Sequence, residues 1–223
     1  MDTADTSSPR RSLLVRLRDK DCYDILNLLG VLRARWVTRL WYARFFAVIG
    51  PGSWIKPLAQ LYGPGRITLG SAVRVERDCI LYSVKCSGNE SYAGRIRLGD
   101  RVFLNTRCNL TAAFGIDVGR DVAFGPNVFV CDFDHGYEQP GMSRLATPVR
   151  SKGPIVLGER CWVGANVSIT SGVTLGHDCV VGANSVVTHS FPPYTILAGV
   201  PARALRHLDL ASGQWVRVDD ADS

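Results

Sequence analysis

The chain predicts a mainly β fold built on a parallel β-helix, and three regularities predict it. The first is a six-residue beat. Leu157, Val163, Ile169, Leu175, Val181 and Val187 are all apolar, and glycine follows four of them at Gly158, Gly164, Gly176 and Gly182. The second is its recurrence: Leu98, Leu104 and Leu110 keep the frame, Val118, Phe124 and Val130 resume it after two extra residues, and Leu69, Val75 and Leu81 fit an earlier turn. The third is a small or β-branched residue four places after each inward one, at Val73, Cys79, Val102, Cys108, Val122, Val128, Cys161, Val167, Val173 and Cys179. Neither a helix nor an ordinary strand repeats at six, so the backbone must return to one inward direction every sixth residue. Three such steps close a triangular turn, which gives a prism of about five coils of roughly eighteen residues each. Each inward side chain stacks on the one a turn above it and contributes about 1.5–3 kcal/mol before chain entropy is subtracted.

Taken in chain order, residues 1–60 form an N-terminal segment without the beat. Ser12 to Gly50 is rich in Leu, Trp, Phe and Arg and predicts two short helices broken near Gly30, packed on the end of the prism or on a neighbouring subunit. Its apolar run from Ile25 to Leu32 is stopped by Arg33 and is too short to span a bilayer. On a helix Arg33 and Arg44 point one way and Arg35 and Arg39 nearly the other, which weighs against a membrane-surface helix, although a peripheral membrane contact through this segment stays open. Residues 61–202 carry the β-helix, with corners such as Gly164-Ala165-Asn166 and Gly182-Ala183-Asn184 permitting tight turns. Two interruptions break it, Ser87 to Arg95 and a longer loop over 136–152. Residues 203–223 are expected to form a short C-terminal helix and tail, and Met1 to Pro9 and Asp219 to Ser223 to be frayed ends.

Composition narrows the function classes. Of 223 residues 46% are apolar and the net charge is +6, which suits a globular protein with a partly basic surface open equally to a phosphorylated ligand or an anionic membrane. No nucleic-acid-binding motif is present, so no nucleic-acid partner is expected. Seven cysteines, an odd number with four at interior repeat positions, predict small apolar filler in a reducing compartment. With no long apolar span and no cleavable signal pattern, the expected location is the cytoplasm, with the inner face of the membrane as the alternative.

Long loops in a regular scaffold are commonly functional, and His135 stands where the wall gives way to the second one, after Asp132, Phe133 and Asp134. An imidazole there is placed to move a proton.

Several segments carry a resemblance: Asn105, Gly125-Pro126-Asn127-Val128, His135, Pro154-Ile155-Val156-Leu157-Gly158, Cys161-Trp162-Val163-Gly164-Ala165-Asn166, Phe191-Pro192-Pro193 and Ala198-Gly199-Val200-Pro201-Ala202-Arg203. Together they resemble the hexapeptide-repeat acyltransferases, in particular the galactoside and maltose O-acetyltransferases and the polysaccharide O-acetyltransferases. The resemblance covers residues 65 to 208 and leaves out the N-terminal segment. It implies a left-handed β-helix, a homotrimer, active sites between neighbouring prisms, acetyl-CoA as acyl donor without a metal, and a carbohydrate acceptor. It also implies His135 as general base, with Asn105 and Trp162 on the substrate. Ala165, Ala183, Thr188 and His189 would line the pantetheine arm, and Arg203 and Arg206 would lie near the adenosine phosphates. Asn105 is equally expected as a corner-turning asparagine, and Trp162 as packing under the long loop. Asp132, Asp134 and Glu138 are alternatives for orienting His135. His177 and His207 are expected at the surface.

Three rivals are set against O-acetyl transfer. A zinc-dependent carbonic anhydrase needs three converging imidazoles, and the four histidines of this chain are not paired for that. A non-catalytic trimeric scaffold predicts no role for His135. An N-acyltransferase acting on an amino sugar would keep the mechanism and change the acceptor.

Overall fold

The computed structural model describes residues 22–87, 90–136, 141, 143 and 147–218. The six-residue beat becomes a prism with three parallel walls. The first wall stacks Val48–Ile49, Ile67–Leu69, Ile96–Leu98, Ile116–Val118, Ile155–Leu157 and Thr174–Leu175 in that order. The second stacks Trp54–Ile55, Arg74–Val75, Phe103–Leu104, Ala123–Phe124, Trp162–Val163 and Val180–Val181, and continues into the C-terminal strands. The third stacks Gln60–Tyr62, Ile80–Ser83, Asn109–Ala112, Phe129–Cys131, Ser168–Ile169 and Val186–Val187. Register follows the beat: Leu98, Val118, Leu157 and Leu175 are consecutive partners on the first wall.

Every inward residue that the beat marks is buried, from Leu69 through Val187, and so is every small residue four places on. The cysteines among them fill space and bond upward: the Cys79 thiol donates to Asn105 O, Cys108 to Gly125 O, Cys161 to Gly176 O and Cys179 to Pro192 O, at 3.1 to 3.2 Å. Glycines close many of the corners after the first and second walls because coils approach closely there. A Cβ on Gly158 would lie 2.4 Å from His177 N, with no flexible side chain to yield.

At the edge between the first and second walls the turn residues Arg101, Asp121, Arg160 and Asp178 all have φ near 60°. Their side chains form a ladder of charge pairs. Arg101 binds Asp121 through two bonds of 2.6 Å, Arg160 binds Asp178 at 2.8 and 2.9 Å, and Glu159 bonds with both Arg120 and Arg160. Arg101 holds Asp121 below its ordinary value, Arg120 and Arg160 hold Glu159 down, and Arg160 holds Asp178 down. Depressed carboxylates stabilise the fold above their unfolded values of 3.8 and 4.5 and lose that contribution as pH falls through the folded ones. The melting temperature is therefore expected to fall between pH 5 and pH 3, and about 0.5 M salt should flatten that fall because the pairs are exposed. Thermal melts across this pH range at two ionic strengths read both effects.

Three expectations change. The prism has six coils instead of about five and begins at Val48, ahead of residue 61, because Ile49, Ile55 and Leu61 already turn into the core. Among the described residues the N-terminal segment holds one α-helix, Cys22–Leu40, which runs on through Gly30. Gly30 does not break it: a glycine there costs about 1 kcal/mol against alanine, less than the packing of Ala34 and Thr38 on the first coil returns. Among the described residues the C-terminal segment forms no helix, and strands Ala202–Asp209 and Gln214–Arg217 stand where one was expected. The second wall ends in Thr195–Gly199, whose outer edge would be open, and the chain folds back on that edge antiparallel, with Ala202 and Ala204 turned into the core. The expected tails, and the loop residues 137–140, 142 and 144–146, lie outside the described residues.

Candidate active site

Both interruptions leave the prism at the edge between the third and first walls, and there they meet. The first forms a short antiparallel pair, Cys86–Ser87 with Glu90–Ser91. The second rises as another, Asp134–His135 with Val149–Arg150, with His135 opposite Val149. Val149 N–H donates to Tyr92 Oη at 3.3 Å, and Val84, Ala113 and Val149 form a small buried cluster flanked by Tyr82, Tyr92 and Phe133.

The neck of the long loop is tied on both sides. Asp132 is fully buried and accepts from Ala113 N–H at 2.7 Å, Phe114 N–H at 2.9 Å and Gly115 N–H at 2.5 Å. Burial pushes its carboxyl up and these three donors pull it back. Ser151 Oγ–H donates to Asp132 O while Gly153 N–H donates to Ser151 Oγ at 2.9 Å. Both carboxylate oxygens of Asp132 are thus committed to the preceding coil, so Asp132 anchors the loop and does not orient His135. Asp134 is next to His135 on the ribbon and exposed, and Glu138 lies outside the described residues.

His135 is exposed, with its ring edge-on to Phe133 at 6.4 Å between centroids. It borders a groove of about 340 Å³ on the outer face of the third wall, floored by Thr111, Phe129, Cys131 and Thr170 and closed by Phe133 and Asp134. Sequence reasoning passed over these floor residues, although outward Thr and Phe on a wall beside His135 are the signal that marks them. Burial pushes the Cys131 thiol up to about 11, and it donates to Phe133 O at 3.2 Å. A thiol held protonated at neutral pH is not poised as a nucleophile, so the reactive groups of this groove are those of His135.

The remaining expected site residues fall on two edges of the prism. Thr188 and His189 follow the last strand of the third wall, on the His135 edge, and the His189 ring lies 4.7 Å from that of Phe191. Asn105, Ala165 and Ala183 lie on the opposite edge of that wall, where it meets the second. Asn105 Oδ1 accepts from Thr106 N–H at 2.7 Å, a corner-turning bond. Above it runs an asparagine ladder, Asn127 to Asn166 at 2.9 Å and Asn166 to Asn184 at 3.0 Å. Trp162 is 58% exposed on the outer face of the second wall, whereas the long loop leaves the edge between the third and first walls. In one transverse row Trp162 pairs with Val180, Val180 with Ile196 and Ile196 with Arg206. A register shift beside Ile196 brings Arg203, opposite Ala198, onto the same side as Arg206. Two guanidiniums three residues apart share a face on a strand only because of that irregularity. His177 bonds Asp178 at 2.7 Å and His207 is exposed, each on the surface as expected. Among the described residues no three His, Cys, Asp or Glu side chains cluster as a metal site requires.

A coil of six-residue steps interrupted by inserted loops is the architecture of the hexapeptide-repeat proteins, and this chain shares it as a left-handed parallel β-helix. Residues 154–189 match the hexapeptide repeat of succinyl-transferase. The galactoside O-acetyltransferase of Escherichia coli is 31% identical over 124 residues, 53% of this chain and 57% of that protein. A hexapeptide-repeat acetyltransferase of Vibrio cholerae, solved with acetyl coenzyme A, is 25% identical, with a TM-score of 0.53 over 85% of this chain and 91% of that one. A variant of AntD, an N-acyltransferase of Bacillus cereus solved with dTDP and coenzyme A, shares the fold at 22% identity, with a TM-score of 0.63 over 80% of this chain and 90% of that one. The chain spans 40% to 65% of the length of the first curated relatives it matches.

Proposed function

We propose that this chain is an acetyl-CoA-dependent O-acetyltransferase that acylates a hydroxyl of a sugar or of a polysaccharide or glycolipid precursor. It works as a homotrimer in the cytoplasm, with its active site between protomers. The observation that carries the reading is the division of the site over two edges of one wall. His135, Thr188 and His189 occupy one edge; Asn105, Ala165 and Ala183 occupy the other, with Trp162, Arg203 and Arg206 on the adjoining second wall. One chain cannot close these halves on each other, whereas a closed three-fold ring sets one edge of each prism against the opposite edge of the next. The similarity to the galactoside O-acetyltransferase supports the acyl donor and the hydroxyl acceptor. The six described cysteines are free thiols, which suits a reducing compartment.

In this reading the acceptor lies in the groove over Phe129 and Thr111, with one hydroxyl at His135. The imidazole takes the hydroxyl proton as that oxygen attacks the thioester carbonyl carbon. The tetrahedral intermediate then expels the coenzyme A thiolate, and the imidazolium returns the proton to sulfur. Asn105 of the adjoining protomer offers an amide N–H to the developing oxyanion without competing for the proton. Ala165, Ala183, Thr188 and His189 line the pantetheine arm from two protomers, Trp162 gives it a flat apolar wall, and Arg203 and Arg206 meet the phosphates as guanidinium forks.

The test is free-CoA release from acetyl-CoA over a panel of mono- and oligosaccharides, half of them bearing an amine, together with light scattering. The expected result is release with hydroxyl-only acceptors by a particle three times 24.4 kDa. Reaction with amino sugars alone would replace the O-acetyl reading by the N-acyl one. A particle of one chain length that releases no CoA with any acceptor would overturn both.

A further inference from the structure

The N-terminal helix, Cys22–Leu40, buries Ala34 and Thr38 against the first coil, where Thr38 Oγ1 accepts from Ile55 N–H at 2.8 Å. That bond fixes the rotation of the helix and therefore decides what the opposite side presents. At 100° per residue Ile25, Leu29, Leu32, Trp36 and Leu40 fall in one arc of about 80°, centred opposite the packed side. All five are exposed, Leu29 by 55%, Trp36 by 64% and Leu40 by 54%. Trp41 and Phe45, in ring contact at 5.5 Å, follow the helix and are exposed as well. Arg35 and Arg39 run along one flank of the arc and Arg33 along the other, with exposed Leu26 and Val37 just beyond Arg33. None of the three arginines is paired with a carboxylate among the described residues.

We infer that this strip is a docking surface for an anionic phospholipid bilayer, on which the helix lies in the plane of the headgroups. An apolar arc bracketed by cations on both flanks has the cross-section of an interfacial helix: the apolar side chains enter the acyl boundary while the guanidiniums reach back along their stems to the phosphates. The division of the arginines between two sides, which in a helical projection argues against a membrane face, is the arrangement such a helix uses. Trp36 sits where an amphipathic ring favours the interface. The helix is not long and apolar enough to cross a membrane, so it rests on the surface. A two-fold contact of one strip on another fits poorly, because it would bring these unpaired arginines against one another. The inference stands on this helix alone and does not depend on acetyl transfer.

Flotation of the full chain with phosphatidylcholine vesicles, with and without about 30% phosphatidylglycerol, tests it. Binding is expected to the anionic vesicles and to weaken at least about tenfold in neutral ones. Leu29→Glu/Trp36→Glu should lower anionic partition by at least about tenfold, while light scattering shows the wild-type particle mass. Arg35→Gln/Arg39→Gln, which keeps the apolar strip, should also weaken anionic binding and reduce its salt dependence. No partition of the wild type, or equal partition of either variant, would overturn the inference. So would a smaller particle in Leu29→Glu/Trp36→Glu, which would make the strip a contact between copies.

Discussion

His135→Ala is expected to lower kcat for acetyl transfer by about 10²- to 10⁴-fold, the contribution of a positioned general base. The residue is exposed at the base of the loop, so its removal empties one side of the groove without opening the core. The melting temperature should therefore stay within about 1 °C of wild type, as surface substitutions usually do. The KM for acetyl-CoA should change little, because the arginines proposed for its phosphates lie on the second wall and not in the loop. Steady-state CoA release with thermal melts of the same samples reads all three quantities. A variant that turns over at the wild-type rate would remove His135 as the general base and assign the proton transfer to another group. A rise in KM with unchanged kcat would make His135 a binding residue instead of a base.

The prism was legible because its rule is local: one inward residue in six, with a small residue four places on, holds whatever the neighbouring coil contains. The same rule was present in Ile49, Ile55 and Leu61, and those three positions are the signal by which the first coil could have been found. It was masked by a setting rich in aromatic residues that reads as a continuation of the helix. The C-terminal strands could not be read locally, since Ala202–Asp209 is extended only because the last strand of the second wall offers it an open edge. His135 was legible as the residue where the repeat stops. Tyr92 was not, because its hydroxyl meets Val149 only after both interruptions leave the same edge of the prism. Nor was Asp132, whose carboxylate bonds to backbone a full coil earlier in the chain.

Asp132→Ala should produce the largest loss of stability among the residues of the site. At most other corners one coil passes into the next through a tight turn, but here the long loop is inserted and the ladder between the third and first walls is opened. Asp132 holds it shut: its carboxylate satisfies the turn at Ala113, Phe114 and Gly115, and its own carbonyl takes the Ser151 hydroxyl from the returning strand. Alanine keeps that carbonyl but leaves three backbone donors without an acceptor, at about 1–3 kcal/mol for each that stays buried. A total of about 3–5 kcal/mol follows, equivalent to a fall of roughly 10 °C in Tm for a chain of this size. Asn in place of Asp restores one acceptor and turns an NH₂ group toward the remaining donors, so Asp132→Asn should lie between alanine and wild type. Because the anchor stands three residues before His135, both variants should also lower kcat, the alanine more than the asparagine. Differential scanning calorimetry with CoA-release kinetics separates the two effects. A stable Asp132→Ala variant would show that the loop is held from elsewhere, and a kcat unchanged by it would show that His135 does not depend on this anchor for its position.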